Sequence, residues 1–148
     1  MTSTARPIPH GYHTVTPYLT VQGADQLIDF LKQVFEAKET ERVTRPDGTI
    51  GHADVRIGDS VIMLAEASGE WKPMPGAIHL YVDDTDATYQ RALQAGAASL
   101  MAPADQFHGD RMAGVKDPFG NVWWIVTHVE DVSPDELQKR ADASWKQV

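Results

Sequence analysis

The sequence predicts an α+β fold in which a βαβββ unit occurs twice and a further helix ends the chain. The first observation is an internal repeat with a constant offset, because Val21 and Val82, and likewise Met63 and Trp124, lie 61 positions apart. The second is that each half has one segment of helical spacing among segments of strand-like alternation. Two equal halves with matched strands predict a pseudo-twofold structure.

The composition is that of an ordinary globular domain, and it argues against several classes of function. Its 148 residues, 42% of them hydrophobic, suffice for one domain with a real core. The absence of cysteine excludes disulfides, thiolate nucleophiles and cysteine-ligated zinc. The formal net charge of −8 argues against a nucleic-acid partner. It mildly favours a cationic ligand, or it serves only to keep the protein soluble.

The sequence indicates neither a membrane partner nor export. No apolar run approaches the length that crosses a bilayer, and the first residues lack the apolar core of a signal peptide. The expected compartment is therefore the cytoplasm.

The first half begins with an expected loose arm over residues 1–12, which contains two prolines and shows no hydrophobic periodicity. A strand is predicted over residues 14–21, where apolar and polar side chains alternate. Residues 24–36 show the apolar spacing of an amphipathic helix. Strands follow near residues 39–45, 51–57 and 60–65, with Asp47-Gly48 as a hairpin signal.

The second half repeats this order after a linker over residues 67–76, which is rich in glycine and proline. A helix is predicted from Thr85 to Gly96, where the glycine suits a C-terminal cap. The predicted strands lie at residues 77–82, near 98–102 and 111–116, and at 122–128. The last of them follows Asp117-Pro118-Phe119-Gly120, a tight-turn signal.

The chain should end in a helix that begins at Ser133-Pro134-Asp135-Glu136 and runs to about Trp145. Leu137, Ala141 and Trp145 fall on one stripe, so this helix should dock. The predicted organisation is an arm (1–12), a single domain (13–130) made of half one (13–66), the linker (67–76) and half two (77–130), and a C-terminal helical segment (131–148).

Several strings carry a resemblance to a known family. They are Val82-Asp83-Asp84, Gly58-Asp59-Ser60, and Asp117-Pro118-Phe119-Gly120-Asn121 followed by Trp123. With the two βαβββ halves, they resemble the vicinal oxygen chelate superfamily, the glyoxalase, bleomycin-resistance and extradiol-dioxygenase group, over roughly residues 12–130. The PhnB-like branch is the most similar part of that group, on the strings that span residues 15–19, 52–60 and 127–134.

The resemblance implies a homodimer, and a half-barrel sheet with helices on its convex face and a pocket on its concave face. The apolar strand faces should meet the helices: Val15, Leu19, Val55, Ile57, Ile78, Leu80, Val82, Trp123 and Ile125. The mixed faces should line the pocket: Thr16, Tyr18, His52, Asp54, Arg56, Met63, Ala77, His79, Tyr81 and Trp124.

Metal-dependent members of that superfamily place a His or Glu ligand on the first and the last strand of each half. In this sequence those places fall on Thr16, Met63, Ala77 and Trp124, and both pairs keep the 61-residue offset. A neutral hydroxyl, a thioether, a methyl and an indole do not make a site for a hard divalent metal. The expectation is therefore that no metal or other cofactor is bound at the family's places.

Polar side chains on the mixed faces are candidates for binding or acid–base chemistry. His79, whose repeat partner is Tyr18, could contact a ligand or act as a general base, or it could be hydrogen-bonded in a packed face. His52 and Asp54 could form a histidine–carboxylate pair, or lie on a solvated face where Arg56 neutralises Asp54. His52, Asp54 and His79 are also the residues from which a relocated metal site would be built.

An aromatic and a cationic candidate complete the set. Trp124, beside Met63, could stack on a planar ligand or a cation, or plug a dimer interface. Arg111 could clamp an anion with paired hydrogen bonds, or be a surface arginine at a loop edge. No residue can be assigned a catalytic role; the expected ligand-binding residues are Trp124, His79, Tyr18, Met63, His52, Asp54 and Arg111.

Three hypotheses follow for the function. The first is a metal-independent homodimer that binds a small molecule, with antibiotics as one ligand class. The second is a metal-dependent lyase, isomerase or dioxygenase with a relocated metal site. The third is a partner-binding or regulatory module in which side chains of the protein fill a vestigial pocket.

Overall fold

The computed structural model describes residues 4–146, and the chain divides after Gly76 into two compact units. Positions 1–3 of the expected arm and 147–148 of the expected C-terminal segment lie outside the described residues. The elements are β1 (Tyr18–Val21), α1 (Ala24–Phe35), β2 (Lys38–Thr44), β3 (Ile50–Ile57), β4 (Ser60–Glu66), β5 (Ala77–Tyr81), α2 (Thr85–Gln94), β6 (Ala98–Asp105), β7 (Asp110–Lys116), β8 (Val122–His128) and α3 (Pro134–Trp145). Each helix between residues 4 and 146 is too short or too polar to span a bilayer.

The first unit is a mixed sheet in the order β1-β4-β3-β2, with α1 packed against β3 and β4. β1 runs parallel to β4, and the other neighbours are antiparallel. The backbone N–H groups of Gly23 and Ala24 donate to the carboxylate of Glu66 at 3.0 and 2.9 Å. This carboxylate on β4 satisfies the free donors at the start of α1, and so ties the helix to the sheet.

The second unit repeats the arrangement, with the sheet order β5-β8-β7-β6 and α2 packed against β6, β7 and β8. The Asp84 side chain caps α2 by accepting a hydrogen bond of 3.1 Å from the backbone N–H of Ala87. The helix ends at Gln94, two residues before Gly96, whose φ of +102° turns the chain away as the sequence predicted.

Strand pairing confirms the internal repeat residue by residue. Tyr18 pairs with Met63 across β1 and β4, and His79 pairs with Trp124 across β5 and β8. Both partners in the second unit lie 61 positions after their counterparts in the first. The α+β fold class and the two βαβββ repeats predicted from the sequence are therefore confirmed.

The burial predicted for the apolar strand faces is confirmed in part, because Ile57, Ile78, Leu80 and Val82 are only half-buried. The predicted start of the first strand is wrong. Leu19, Val55, Trp123 and Ile125 are buried as expected for a face that meets a helix. β1 begins at Tyr18, however, instead of residue 14, and the Val15 side chain is 82% exposed. Apolar alternation continues upstream of β1, but a strand also needs a partner strand to satisfy its backbone.

The C-terminal helix forms as predicted and docks through only part of the predicted stripe, since Leu137 is half-buried and Trp145 stays 64% exposed. The Ser133 hydroxyl accepts a 3.2 Å hydrogen bond from the backbone N–H of Glu136, which is the predicted cap. Ala141 is buried, and the ring of Trp145 meets that of Phe107 edge-on at 5.9 Å between centroids. These contacts lie within the second unit.

Candidate functional site

A row of three residues crosses the second sheet, with His79 on β5, Trp124 on β8 and Gly114 on β7 in register. A Cβ atom at residue 114 would lie 2.3 Å from Cζ3 and 2.7 Å from Cε3 of Trp124. The indole therefore rests on the backbone of Gly114, in space that any other side chain there would occupy. The Trp124 residue as a whole remains partly exposed on this side of the sheet.

Two further rings lie on the same side of this sheet. His79 and Tyr81 are alternate residues of β5, so their side chains share a face. Their ring centroids are 5.2 Å apart with the planes at 66°, and both residues are exposed. We call Trp124, His79 and Tyr81 the aromatic face. It can stack on a planar group, attract a cation, and exchange hydrogen bonds through the imidazole and the phenol.

The equivalent row of the first sheet has different chemistry. Tyr18, Met63, Asp54 and Glu41 follow one another in register across β1, β4, β3 and β2. Met63, in the place equivalent to Trp124, is partly buried and contributes a thioether. Tyr18 takes the place of His79, Asp54 that of Gly114 and Glu41 that of Met101, so this row carries two carboxylates that the row of the second sheet lacks.

Asp54 is the centre of a hydrogen-bonded chain in this first sheet. Its Oδ2 accepts a hydrogen bond from the Tyr12 hydroxyl, and its Oδ1 lies 2.6 Å from Nε2 of His52. Nδ1 of His52 lies 3.1 Å from the Tyr18 hydroxyl. The Asp54 side chain is 2% exposed, so these partners replace the water that it loses on folding. We call Tyr12, Tyr18, His52 and Asp54 the polar chain.

The sequence left two alternatives for Asp54, a pair with His52 or neutralisation by Arg56, and the polar chain contains the first. The histidine–carboxylate pair forms, whereas the Arg56 guanidinium donates to the backbone carbonyl of Gly11 at 3.3 Å. The hydrogen bond to Asp54, followed by desolvation, raises the pKa of Tyr12 to about 12. Tyr12 therefore remains a neutral hydrogen-bond donor at physiological pH.

Glu41 and Tyr12 are the residues at this cluster that sequence reasoning missed. Donor atoms of Glu41, His52 and Asp54 all lie within 4.8 Å of one another. An unbroken β2–β3 hairpin that starts from the pair Thr44–Ile50 would place Thr40 opposite Asp54. A register shift after that pair brings Glu41 to this position, and a second shift restores the original register at Glu39.

Arg111 is engaged in ion pairs within the second unit. Its Nε and Nη2 lie 2.6 and 2.9 Å from the two carboxylate oxygens of Asp86, and its Nη1 lies 3.1 Å from Asp105. Hydrogen bonds to Asp86 and then Asp105 raise the pKa of Arg111. An anion would therefore have to compete with the carboxylates of Asp86 and Asp105 to bind Arg111 as predicted from the sequence.

His128, which was not among the predicted site residues, bridges two carboxylates. Its Nδ1 lies 2.7 Å from Asp110 and its Nε2 lies 2.7 Å from Asp131. His108 approaches the same Asp110 at 3.4 Å. The hydrogen bonds to Asp131 and then Asp110 raise the pKa of His128. This cluster links β7 and β8 to the segment that leads into α3.

The family's metal places do not fit a metal in this chain. Thr16 lies outside the strands, and Ala77 offers no donor atom. The indole of Trp124 covers Gly114, and Met63 supplies a soft thioether. The residues at these four places therefore do not supply a metal site for a chemical step.

Comparison with known proteins gives one family. The family model described as Glyoxalase/Bleomycin resistance protein/Dioxygenase superfamily matches residues 11–125. The chain is 41% identical over 135 residues to the uncharacterized protein Mb0911c of Mycobacterium bovis, covering 84% of this chain and 89% of that one. The uncharacterized protein Rv0887c of Mycobacterium tuberculosis is also 41% identical, with 84% of this chain and 79% of its own length covered.

Solved structures have the same fold. TioX from Micromonospora sp. ML1 is 25% identical with a TM-score of 0.66, covering 79% of this chain and 99% of TioX. The fosfomycin resistance protein FosX from Mesorhizobium loti is 17% identical with a TM-score of 0.59, covering 84% and 95%. A PhnB protein from Bacillus cereus is 13% identical with a TM-score of 0.62, covering 78% and 99%.

Proposed function

The chain belongs to the glyoxalase/bleomycin resistance protein/dioxygenase superfamily, and from that premise we propose that it binds a small molecule on its aromatic face without a metal. The partly exposed ring of Trp124, which rests on the backbone of Gly114, carries this proposal. Since the ring lies on backbone, it is already placed for stacking and loses little conformational freedom when a ligand binds.

The character of the aromatic face supports a planar and cationic ligand. Trp124 and Tyr81 offer π surfaces that attract cations, and His79 offers a hydrogen-bonding group between them. The net charge of −8 would favour the approach of such a ligand. The family includes bleomycin-resistance proteins, so an antibiotic with a planar cationic group is the class to test first. We also propose that the chain belongs to the PhnB-like branch of this superfamily.

Fluorescence and calorimetric titrations test this proposal, with bleomycin as the first probe and planar cationic drugs as the panel. A ligand should quench the tryptophan emission, and Trp124→Ala should weaken its affinity about tenfold, as expected for loss of a stacking or cation–π contact. Trp71→Ala is the matched control, because Trp71 is an exposed tryptophan of the first unit. Equal affinity of Trp124→Ala and the wild type, or no binding across the panel, would contradict the proposal.

A second candidate is the metal-dependent lyase, isomerase or dioxygenase with a relocated site. The observation in its favour is the His52–Asp54 pair with Glu41 opposite, which offers one nitrogen and two carboxylate donors. The sequence suggested His79 as the third ligand. His79 belongs to the second unit, whereas Glu41 belongs to the same sheet as His52 and Asp54.

A further inference from the structure

We propose that Glu41, His52 and Asp54 form a binding site for a divalent transition-metal ion on the β2–β3 hairpin, at a place different from the family's four metal places. The donor atoms are the carboxylates of Glu41 and Asp54 and Nε2 of His52, all within 4.8 Å of one another. The site deepens the second candidate function and does not rest on the aromatic face, which lies in the other unit.

The first argument is electrostatic. Glu41 and Asp54 are directly paired across β2 and β3, and like charges in such a pair destabilise a sheet. The Asp54 side chain is almost fully buried, so water does not screen it from Glu41 as it would on an open surface. A divalent cation between the two carboxylates neutralises both charges and replaces repulsion by coordination.

The second argument is that hydrogen-bonding partners for the outer atoms of two ligands, Asp54 and His52, are already in place. The Tyr12 hydroxyl donates to Oδ2 of Asp54, so the other oxygen, Oδ1, has Nε2 of His52 as its partner at 2.6 Å, and an ion bound to both atoms would replace that hydrogen bond. Without an ion, Nε2 of His52 donates to the Asp54 carboxylate and the Tyr18 hydroxyl donates to Nδ1. With an ion bound the roles at Tyr18 reverse, because Nδ1 then donates to the Tyr18 oxygen 3.1 Å away and Nε2 is unprotonated and coordinates the ion. Such outer partners fix the tautomer and the orientation of metal-bound histidine and carboxylate. The same two phenols therefore serve the polar chain with or without an ion.

The third argument is the donor set itself. One imidazole and two carboxylates suit zinc, manganese, iron(II) or nickel. Three protein ligands leave coordination positions for water or a ligand, as in catalytic sites. Glu41 is exposed and His52 is partly exposed, so solvent has access to the open side.

Zinc titration of the 148-residue chain, purified without an affinity tag and stripped with a chelator, tests the site. We expect one zinc ion per chain by calorimetry and elemental analysis. Glu41→Gln and His52→Gln should each weaken zinc at least about tenfold, and Tyr18→Phe about tenfold through loss of its contact to His52. His128→Gln, which changes the other histidine between carboxylates, is the control and should leave zinc affinity unchanged.

A measurement on the wild-type chain guards against variants that fail to fold. Substoichiometric Mn²⁺ should broaden the NMR signals of Glu41, His52 and Asp54 first. Broadening centred on His128 or on no residue, or zinc affinity unaltered in Glu41→Gln and His52→Gln, would overturn the inference. Drug titration with chelator present keeps the two proposals separate, because binding on the aromatic face should persist whatever the zinc result.

Discussion

At the scale of single residues, the Asp117 carboxylate organises the turn into β8. It accepts hydrogen bonds from the backbone N–H groups of Phe119 and Asn121, the Asn121 side-chain amide and Nε1 of Trp123, at 2.7 to 2.9 Å. The sequence predicted the turn from Asp-Pro-x-Gly spacing. It did not predict that the same aspartate would also hold Trp123, which is fully buried next to Trp124.

We expect Asp117→Ala to lower the free energy of unfolding by about 3 kcal/mol, because four donors, three of them buried, lose a charged acceptor. Urea denaturation followed by circular dichroism measures this change. Asp59→Ala is the matched control, since Asp59 lies in the corresponding turn before β4 but is exposed, and it should cost well under 1 kcal/mol. Equal costs at the two turns would contradict the role given to Asp117.

Gly114→Ala should displace the indole of Trp124 and cost about 2 kcal/mol of stability, because the new Cβ would lie 2.3 Å from Cζ3. Drug affinity on the aromatic face should fall with it. In a Trp124→Ala background the same glycine substitution should cost far less, since the clashing ring is gone. Additive costs in this double-mutant cycle would show that Gly114 is needed for another reason.

The limits of prediction from sequence are clearest at Glu41 and Asp54. Strand alternation placed His52 and Asp54 on one face, and the structure confirms their contact. The partner of Asp54 on β2 depends on two register shifts, which alternation does not reveal. Tyr12 was missed for a related reason, because it belongs to a segment without period whose position only tertiary contacts decide.

At the scale of elements, β1 shows how a pattern can be longer than the strand it predicts. The carbonyl of Pro17 accepts a 2.9 Å hydrogen bond from the backbone N–H of Met63, so pairing with β4 begins there. Proline has no N–H to donate, which favours the end of a strand at this residue. The residues before it alternate in hydrophobicity without becoming part of the sheet.

The segment between β8 and α3 should be sensitive to pH through His128. Since Asp131 and Asp110 raise its pKa in the folded state, His128 contributes stability below its ordinary pKa of about 6.5, and the contribution is lost as pH rises through the folded value. We expect Asp131→Asn to lower the His128 pKa measured by NMR. The difference in melting temperature between wild type and His128→Gln should shrink as pH rises through that pKa; a constant difference would contradict this linkage.

At the scale of the whole molecule, the repeat made the fold predictable and hid the difference between the halves. The 61-residue offset aligned the strands of both units correctly. Equivalent positions nevertheless hold Met63 and Trp124, or Tyr18 and His79, so the two sheets present different chemistry. Fold follows from spacing, which the repeat preserves, whereas a site follows from the individual side chains and their neighbours.

We expect the protein to be a homodimer in solution, as the family resemblance implies. Sedimentation equilibrium should give about twice the chain mass of 16.3 kDa. The exposed side chains of Trp71 and Met74 in the first unit are apolar surface that a second copy could cover. A mass equal to a single chain at micromolar concentration would contradict this expectation.

The two register shifts in the β2–β3 hairpin have a consequence for evolution and for alignment. Gly51 is the extra residue on β3 and Thr40 the extra residue on β2, so the pairs outside them stay in phase. A homologue could retain Glu41, His52 and Asp54 and still separate them by losing both bulges, with no change in chain length. Identity of these three letters in an alignment is therefore weaker evidence for a shared cluster than agreement in the hairpin's register.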